Sequence, residues 1–163
     1  MKSNWKKGRG KLGRFRPLLG KWIAESESPM GPVRCTREFK AILAGSYIQL
    51  EANWEFLAKP AFDQCAEATE MKSYRELAVI GVEDKGEICF WSFTSDGKRS
   101  QGMVTDVTDL HPEAIGFIAK MPAGTARMAY WPDSSNGFHW VVEFQTKTGW
   151  SRMLSHHYVA EVK

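Results

Sequence analysis

Disulfide pairing, long apolar runs and signal-like segments are all lacking in this chain of 163 residues. Its three cysteines, Cys35, Cys65 and Cys89, are odd in number and show no C-x-x-C spacing, which argues against a disulfide framework and a structural zinc site. No run approaches the roughly 18 to 20 apolar residues of a membrane span, and the start lacks the apolar stretch of a secretion signal. We therefore expect reduced thiols, no transmembrane segment and a cytoplasmic location.

Motifs of the common enzyme classes are lacking as well. The sequence has no Gly-x-Ser-x-Gly elbow, no Gly-rich phosphate loop after a strand and no His-Glu-x-x-His pair. A cavity enzyme of lyase or cyclase type stays open, because Tyr130, Glu143, Arg152 and Tyr158 could supply acidic and orienting groups. A binding protein is the better expectation.

Acidic residues are missing from the first sixteen positions, where seven bases occur. This leaves 15 of the 22 bases to face all 19 acids in the rest of the chain. We expect a basic, flexible arm over residues 1–16 and one domain over 17–163. The arm could contact nucleic acid or an anionic surface, so an interaction module acting through it is one alternative function. The seven bases are Lys2, Lys6, Lys7, Arg9, Lys11, Arg14 and Arg16.

Alternation of apolar and polar residues is abundant. Between Tyr47 and Leu57 every second residue is apolar, which is the period of a strand with one buried face. Turn signals such as Asp84-Lys85-Gly86 and Asp96-Gly97-Lys98 separate further segments of this kind. Strands are expected near residues 21–28, 33–43, 47–57, 75–83, 87–95, 100–108, 115–122, 125–131, 138–147 and 150–162.

This pattern predicts an all-β protein, a closed up-and-down antiparallel β-barrel of about ten strands. Closure removes the exposed edges of a sheet, and ten strands enclose more space than eight. No strand accounts for Lys59 to Ser73, which we expect to form a short helix or a lid at the mouth.

Aromatic, methionine and arginine side chains at alternate strand positions are the candidates to line the interior. If Trp22 faces inward, Ala24, Ser26 and Ser28 do too. Methionine adapts to irregular pockets, and an inward arginine would pair with an acidic head group. We therefore expect a small apolar or amphipathic molecule inside the barrel. The candidate ligand-binding residues are Trp22, Trp54, Phe56, Met103, Met121, Met128, Trp140, Phe144, Arg152, Met153 and Tyr158.

The adjacent histidines His156 and His157 lie in the last expected strand. Neighbouring residues of a strand face opposite sides, so one of the two points inward. An inward neutral imidazole can ligate haem iron, or it can be a hydrogen-bonded core residue. A zinc site would also need His139 or a carboxylate.

The segment Leu18-Leu19-Gly20-Lys21-Trp22, followed by short alternating strands, resembles the start of the lipocalin-like (calycin) superfamily. The resemblance covers roughly residues 17 to 163 and extends to fatty-acid-binding proteins, nitrobindins and uncharacterised bacterial domains. It implies a short N-terminal helical turn that plugs the barrel and a tryptophan that closes its floor. In nitrobindins the haem ligand is a histidine near the C-terminus, and His157 matches it best, so haem binding is an implied alternative.

Overall fold

Ten strands form the wall of the protein in a computed structural model that describes residues 5–28, 31–57 and 73–162. A 3-10 helix at Lys11–Leu18 precedes them, and a short turn of the same kind lies at Leu43–Gly45. The strands are β1 (Gly20–Ser28), β2 (Gly31–Ile42), β3 (Tyr47–Phe56), β4 (Tyr74–Val82), β5 (Ile88–Thr94), β6 (Arg99–Thr105), β7 (Ile115–Met121), β8 (Gly124–Pro132), β9 (Phe138–Thr146) and β10 (Gly149–Ala160).

The strands close into a barrel in which each pairs antiparallel with its neighbours in the chain, and β1 pairs with β10. The closing contact joins Trp22 to Ala160 and Ile23 to Val159. This confirms the predicted ten-stranded up-and-down barrel. The strand β6 ends earlier than predicted because the Asp106 carboxylate accepts hydrogen bonds from the backbone N and hydroxyl of Thr108, which turns the chain.

Alternate residues of each strand point into the barrel. In β3 the buried positions are Ile48, Leu50, Ala52 and Trp54, as the alternation predicts. In β2 the same parity buries Arg37 together with its apolar neighbours. The core of the barrel therefore consists of these inward apolar side chains together with the buried guanidinium of Arg37.

The N-terminal 3-10 helix closes one end of the barrel. Phe15 and Leu18 are fully buried, and the Phe15 ring stacks on Phe117 with centroids 5.6 Å apart. The indole N–H of Trp22 donates to the Leu18 carbonyl at 2.7 Å, which fixes the helix to the first strand. The helical turn and the tryptophan floor are both present as the resemblance implied.

The described part of the N-terminal arm packs on this closed end. Trp5 is buried and belongs to the same apolar cluster as Phe15 and Trp22. Trp5 and Phe15 therefore join the core, while most of the bases between them are exposed, and a flexible arm over residues 1–16 with a boundary after residue 16 stays a prediction.

Neither described helical segment has the length and apolar character that crossing a membrane would require. The expected lid at Lys59 to Ser73 lies outside the described residues except for Ser73 itself.

Candidate functional site

The barrel contains open space in the half that lies away from the N-terminal helix. One cavity, here called the central cavity, has a volume of about 270 Å³. A second, the side cavity, has a volume of about 280 Å³ and lies against β1 and the start of β2. The two share four wall residues, which are Trp54, Tyr74, Met153 and Leu154.

Most candidate residues from the sequence lie in these walls. Trp54 and Met153 border both cavities, and Phe56 borders the side cavity. Ser26 and Ser28 also line the side cavity, as the parity of Trp22 predicts. That these side chains contact a ligand remains a prediction. The candidates in the central cavity are Trp54, Met121, Met128, Trp140, Phe144 and Met153.

Trp22 and Tyr158 point inward but lie in the filled half of the barrel. The Trp22 ring meets Phe138 edge-on at 5.0 Å, and Phe138 stacks on Tyr158 at 5.1 Å. Neither residue borders the central or the side cavity. Their position favours a role in closing the floor rather than direct contact with a ligand.

Met103 lies on the outside of the barrel, which corrects its assignment to the interior. Its side chain is 39% exposed. The neighbouring Gly102 takes the inward position because the Phe90 ring fills the space there, and a Cβ at residue 102 would lie 2.4 Å from that ring.

Arg152 also lies on the outside, in an ionic cluster that covers β8 and β9. Its guanidinium donates to Glu143 at 3.2 Å, and Glu143 accepts from Arg127 at 2.7 Å. Arg127 reaches Asp109 through two hydrogen bonds of 3.0 and 2.7 Å and lies 4.5 Å from the Trp150 ring. The acid and arginine considered for a cavity enzyme are therefore a structural cluster of the outer face.

His157 lies on the outer face and His156 on the inner face. His157 is hydrogen-bonded to Asp133. Because its side chain lies outside the barrel, the prediction that His157 ligates a haem in the interior is wrong. Burial opposes ionisation of Asp133, yet hydrogen bonds from His157 and from Ser135 and Gly137 hold its pKa at about 2. The register fixes this parity, because Tyr158 belongs to the core and His156 shares its face.

His156 is a neutral imidazole in the wall of the side cavity. Burial, and then the positive charge of Arg37, lower its pKa to about 4. Its Nδ1 lies 3.3 Å from the Tyr158 hydroxyl. At neutral pH it offers hydrogen bonding to the cavity without charge.

Arg37 is an inward charged residue that was not among the candidates from the sequence. Its guanidinium is 1% exposed and donates to the hydroxyls of Tyr158 and Tyr130, each at 3.0 Å. It lies 4.0 Å from the Trp140 ring and 5.5 Å from Trp54, which form part of the cavity wall. Burial works against the charge, but Tyr158, Tyr130 and Glu76 favour it and raise the pKa of Arg37 above its usual range.

Glu76 was missed too. It occupies an inward position of β4 and borders the central cavity. One of its carboxylate oxygens accepts a hydrogen bond from the Ser92 hydroxyl at 2.6 Å. Strand parity is the signal that could have found both residues, since Arg37 and Glu76 lie in phase with the apolar stripes of β2 and β4.

Within the described residues, no three histidine, cysteine or acidic side chains are grouped to hold a metal ion. The exposed bases Lys7 and Arg14 share a surface pocket of about 400 Å³ with Asp106 and Glu113 at the closed end. The basic surface there is thus interrupted by acids, and its contact with nucleic acid or an anionic surface stays a prediction.

No protein-family model matches the chain. No curated protein matches it either. Among solved structures it is similar to a de novo designed fluorescence-activating β-barrel, with a TM-score of 0.37 and 15% identity. The likeness covers 88% of this chain and 93% of the designed one, and it is too low to bear on function.

Proposed function

We propose that the protein binds a small, mainly apolar molecule in the open half of the barrel. The observation that carries this proposal is the contrast between the two halves. The closed half is filled by rings such as Phe15, Phe138 and Tyr158, whereas the open half keeps two cavities of about 270 and 280 Å³. Cavities with apolar walls and a few polar groups are the usual form of a ligand site.

The polar groups of the walls make an amphipathic ligand suitable as well. The side cavity is bordered by Glu27, Ser155 and His156, and the central cavity by Glu76 and Ser92. Methionines Met121, Met128 and Met153 supply adaptable apolar surface between them.

We also infer membership of the lipocalin-like superfamily and a cytoplasmic location. The N-terminal helix that plugs the barrel and the hydrogen bond from Trp22 to Leu18 support the first inference. Cys35 and Cys89, which are buried free thiols, support a reducing compartment.

The test uses an uncharged environment-sensitive dye, N-phenyl-1-naphthylamine, and a variant that fills the central cavity. Ala119 borders this cavity, so Ala119→Phe is expected to weaken dye binding by roughly tenfold or more, because the added ring occupies the space. Ala123→Phe places the same ring in the exposed turn between β7 and β8 and should bind as the wild type does. Equal binding by all three proteins, or none by the wild type, would exclude the cavity as the site.

A further inference from the structure

We propose that the central cavity selects ligands that carry a protonated amine, and that Glu76 is the group that binds the amine. The inference rests on the proposed function and adds the chemical class of the ligand to it.

Glu76 presents an acceptor to the cavity. Its Oε1 atom accepts from the Ser92 hydroxyl, and no other hydrogen bond to the carboxylate is present among the described residues. An ionised carboxylate has about four lone-pair sites, so one bond from Ser92 leaves most of its accepting capacity free. Because Glu76 borders the cavity, a ligand donor can reach this capacity.

No arginine or lysine of the described wall turns its charge into the central cavity. Arg127 borders it, but Glu143 and Asp109 hold its guanidinium on the outer face. Arg37 is 1% exposed and does not border the cavity. Glu76 is therefore the charged group that this wall presents to the cavity, while the Arg37 guanidinium lies against the Trp54 and Trp140 rings.

Aromatic rings in the same cavity wall add to an environment for an ammonium group. Tyr74 and Phe90 border the cavity with Glu76, as do Trp54 and Trp140, whose rings already contact the Arg37 guanidinium at 5.5 and 4.0 Å. Cations are attracted to the faces of such rings, most strongly when water is excluded. A carboxylate and aromatic rings together recognise a protonated amine on an apolar frame better than a carboxylic acid.

The experiment compares three probes with the same ring, which are 2-naphthylmethylamine, 2-naphthylmethanol and 2-naphthoate, by calorimetric titration at pH 7. The wild type should bind the amine roughly tenfold more tightly than the alcohol, as expected for a charge-assisted hydrogen bond. Glu76→Gln, which keeps an acceptor for Ser92, should lose this preference and keep its affinity for the alcohol. Glu55→Gln removes an exposed carboxylate from β3 and should behave as the wild type.

The outcomes separate the inference from the proposed function. If the alcohol binds but the amine has no advantage, or keeps its advantage in Glu76→Gln, the inference is wrong and the proposed function stands. If 2-naphthoate binds most tightly of the three probes, the inference is also wrong, and Arg37 becomes the residue that recognises the ligand's charge. Failure of all three probes overturns both. If Glu76→Gln does not fold, Glu76→Asp replaces it, since it withdraws the carboxylate by one methylene. This variant must bind the amine more weakly than the wild type and the alcohol with unchanged affinity.

Discussion

Arg37 is a charged side chain that the fold encloses completely. Removing a guanidinium from water costs several kcal/mol unless hydrogen bonds and nearby charge offset the loss. Here the hydroxyls of Tyr130 and Tyr158 accept two of its hydrogen bonds, and the Trp140 ring lies 4.0 Å away. The buried charge also acts on its surroundings, since it helps to keep His156 neutral.

The stability of the protein should depend on pH through His156. In the folded state the pKa of His156 is lowered from 6.5 to about 4, so between these values the unfolded chain binds the proton more readily. Stability is then full above about pH 6.5, falls as the pH drops toward 4, and changes no further through this group below 4. We expect a loss of about 3 kcal/mol across the window.

Urea unfolding at pH 7.5, 5.5 and 4 measures this dependence for the wild type and His156→Gln. Other titrating groups are common to both proteins, so the difference between the two curves isolates His156. Identical pH dependence in the two proteins would show that the His156 pKa is not lowered.

The alternation of inward and outward positions is enough to place Arg37 and Glu76 inside the barrel. It does not show which groups stabilise a buried charge there. The phenols that bind Arg37 are 93 and 121 residues away along the chain, so their approach depends on the closed register of the whole sheet. A charged residue in an apolar stripe is easily passed over when only the apolar positions are followed. The same holds for His156 and His157, where the choice of the inward residue needed the register of β10 against β9.

The N-terminal helix is the element that makes one end of the barrel closed. Its buried residues Phe15 and Leu18 fill the end, while the bases Lys11, Arg14 and Arg16 point to solvent. The charge pattern of the first sixteen residues suggested an extension without fixed structure. Apolar residues at wide spacing within a basic segment are a weak signal, and here they determine where the segment lies.

Truncation of Phe15 tests whether this element belongs to the folding unit. Phe15→Ala removes a ring that is fully buried against Phe117, and we expect a loss of about 3 to 4 kcal/mol in the free energy of unfolding. Arg14→Ala, on the exposed side of the same helix, should change it by less than about 0.5 kcal/mol. A small effect of Phe15→Ala, measured by urea unfolding, would favour a separate flexible arm over residues 1–16.

The strands show how far alternation alone can be followed. β3 was predicted almost residue for residue, because its apolar stripe is unbroken from Ile48 to Phe56. In β6 the inward positions are Ser100, Gly102 and Val104, and the largest apolar residue, Met103, faces outward. Hydrophobicity pointed to the wrong face there, since the interior was already occupied by Phe90.

As a whole, the molecule is a barrel with one filled end and one open end. The closed topology was predictable from the number of alternating segments, whereas the size of the cavity was not. Cavity volume depends on how side chains from different walls meet, as Trp54 of β3 and Trp140 of β9 do with ring centroids 6.5 Å apart, and such contacts join strands that are distant in the sequence. We therefore expect small molecules to bind in the open half of the barrel.

Methionine methyl groups can report on this claim directly. In protein labelled with ¹³C at the methionine methyls, titration with 2-naphthylmethanol should shift the signals of Met121, Met128 and Met153, which border the central cavity. Met103, on the outer face of β6, should not shift and serves as the control within the same molecule. Binding that moves Met103 while the three cavity methyls stay in place would contradict the account.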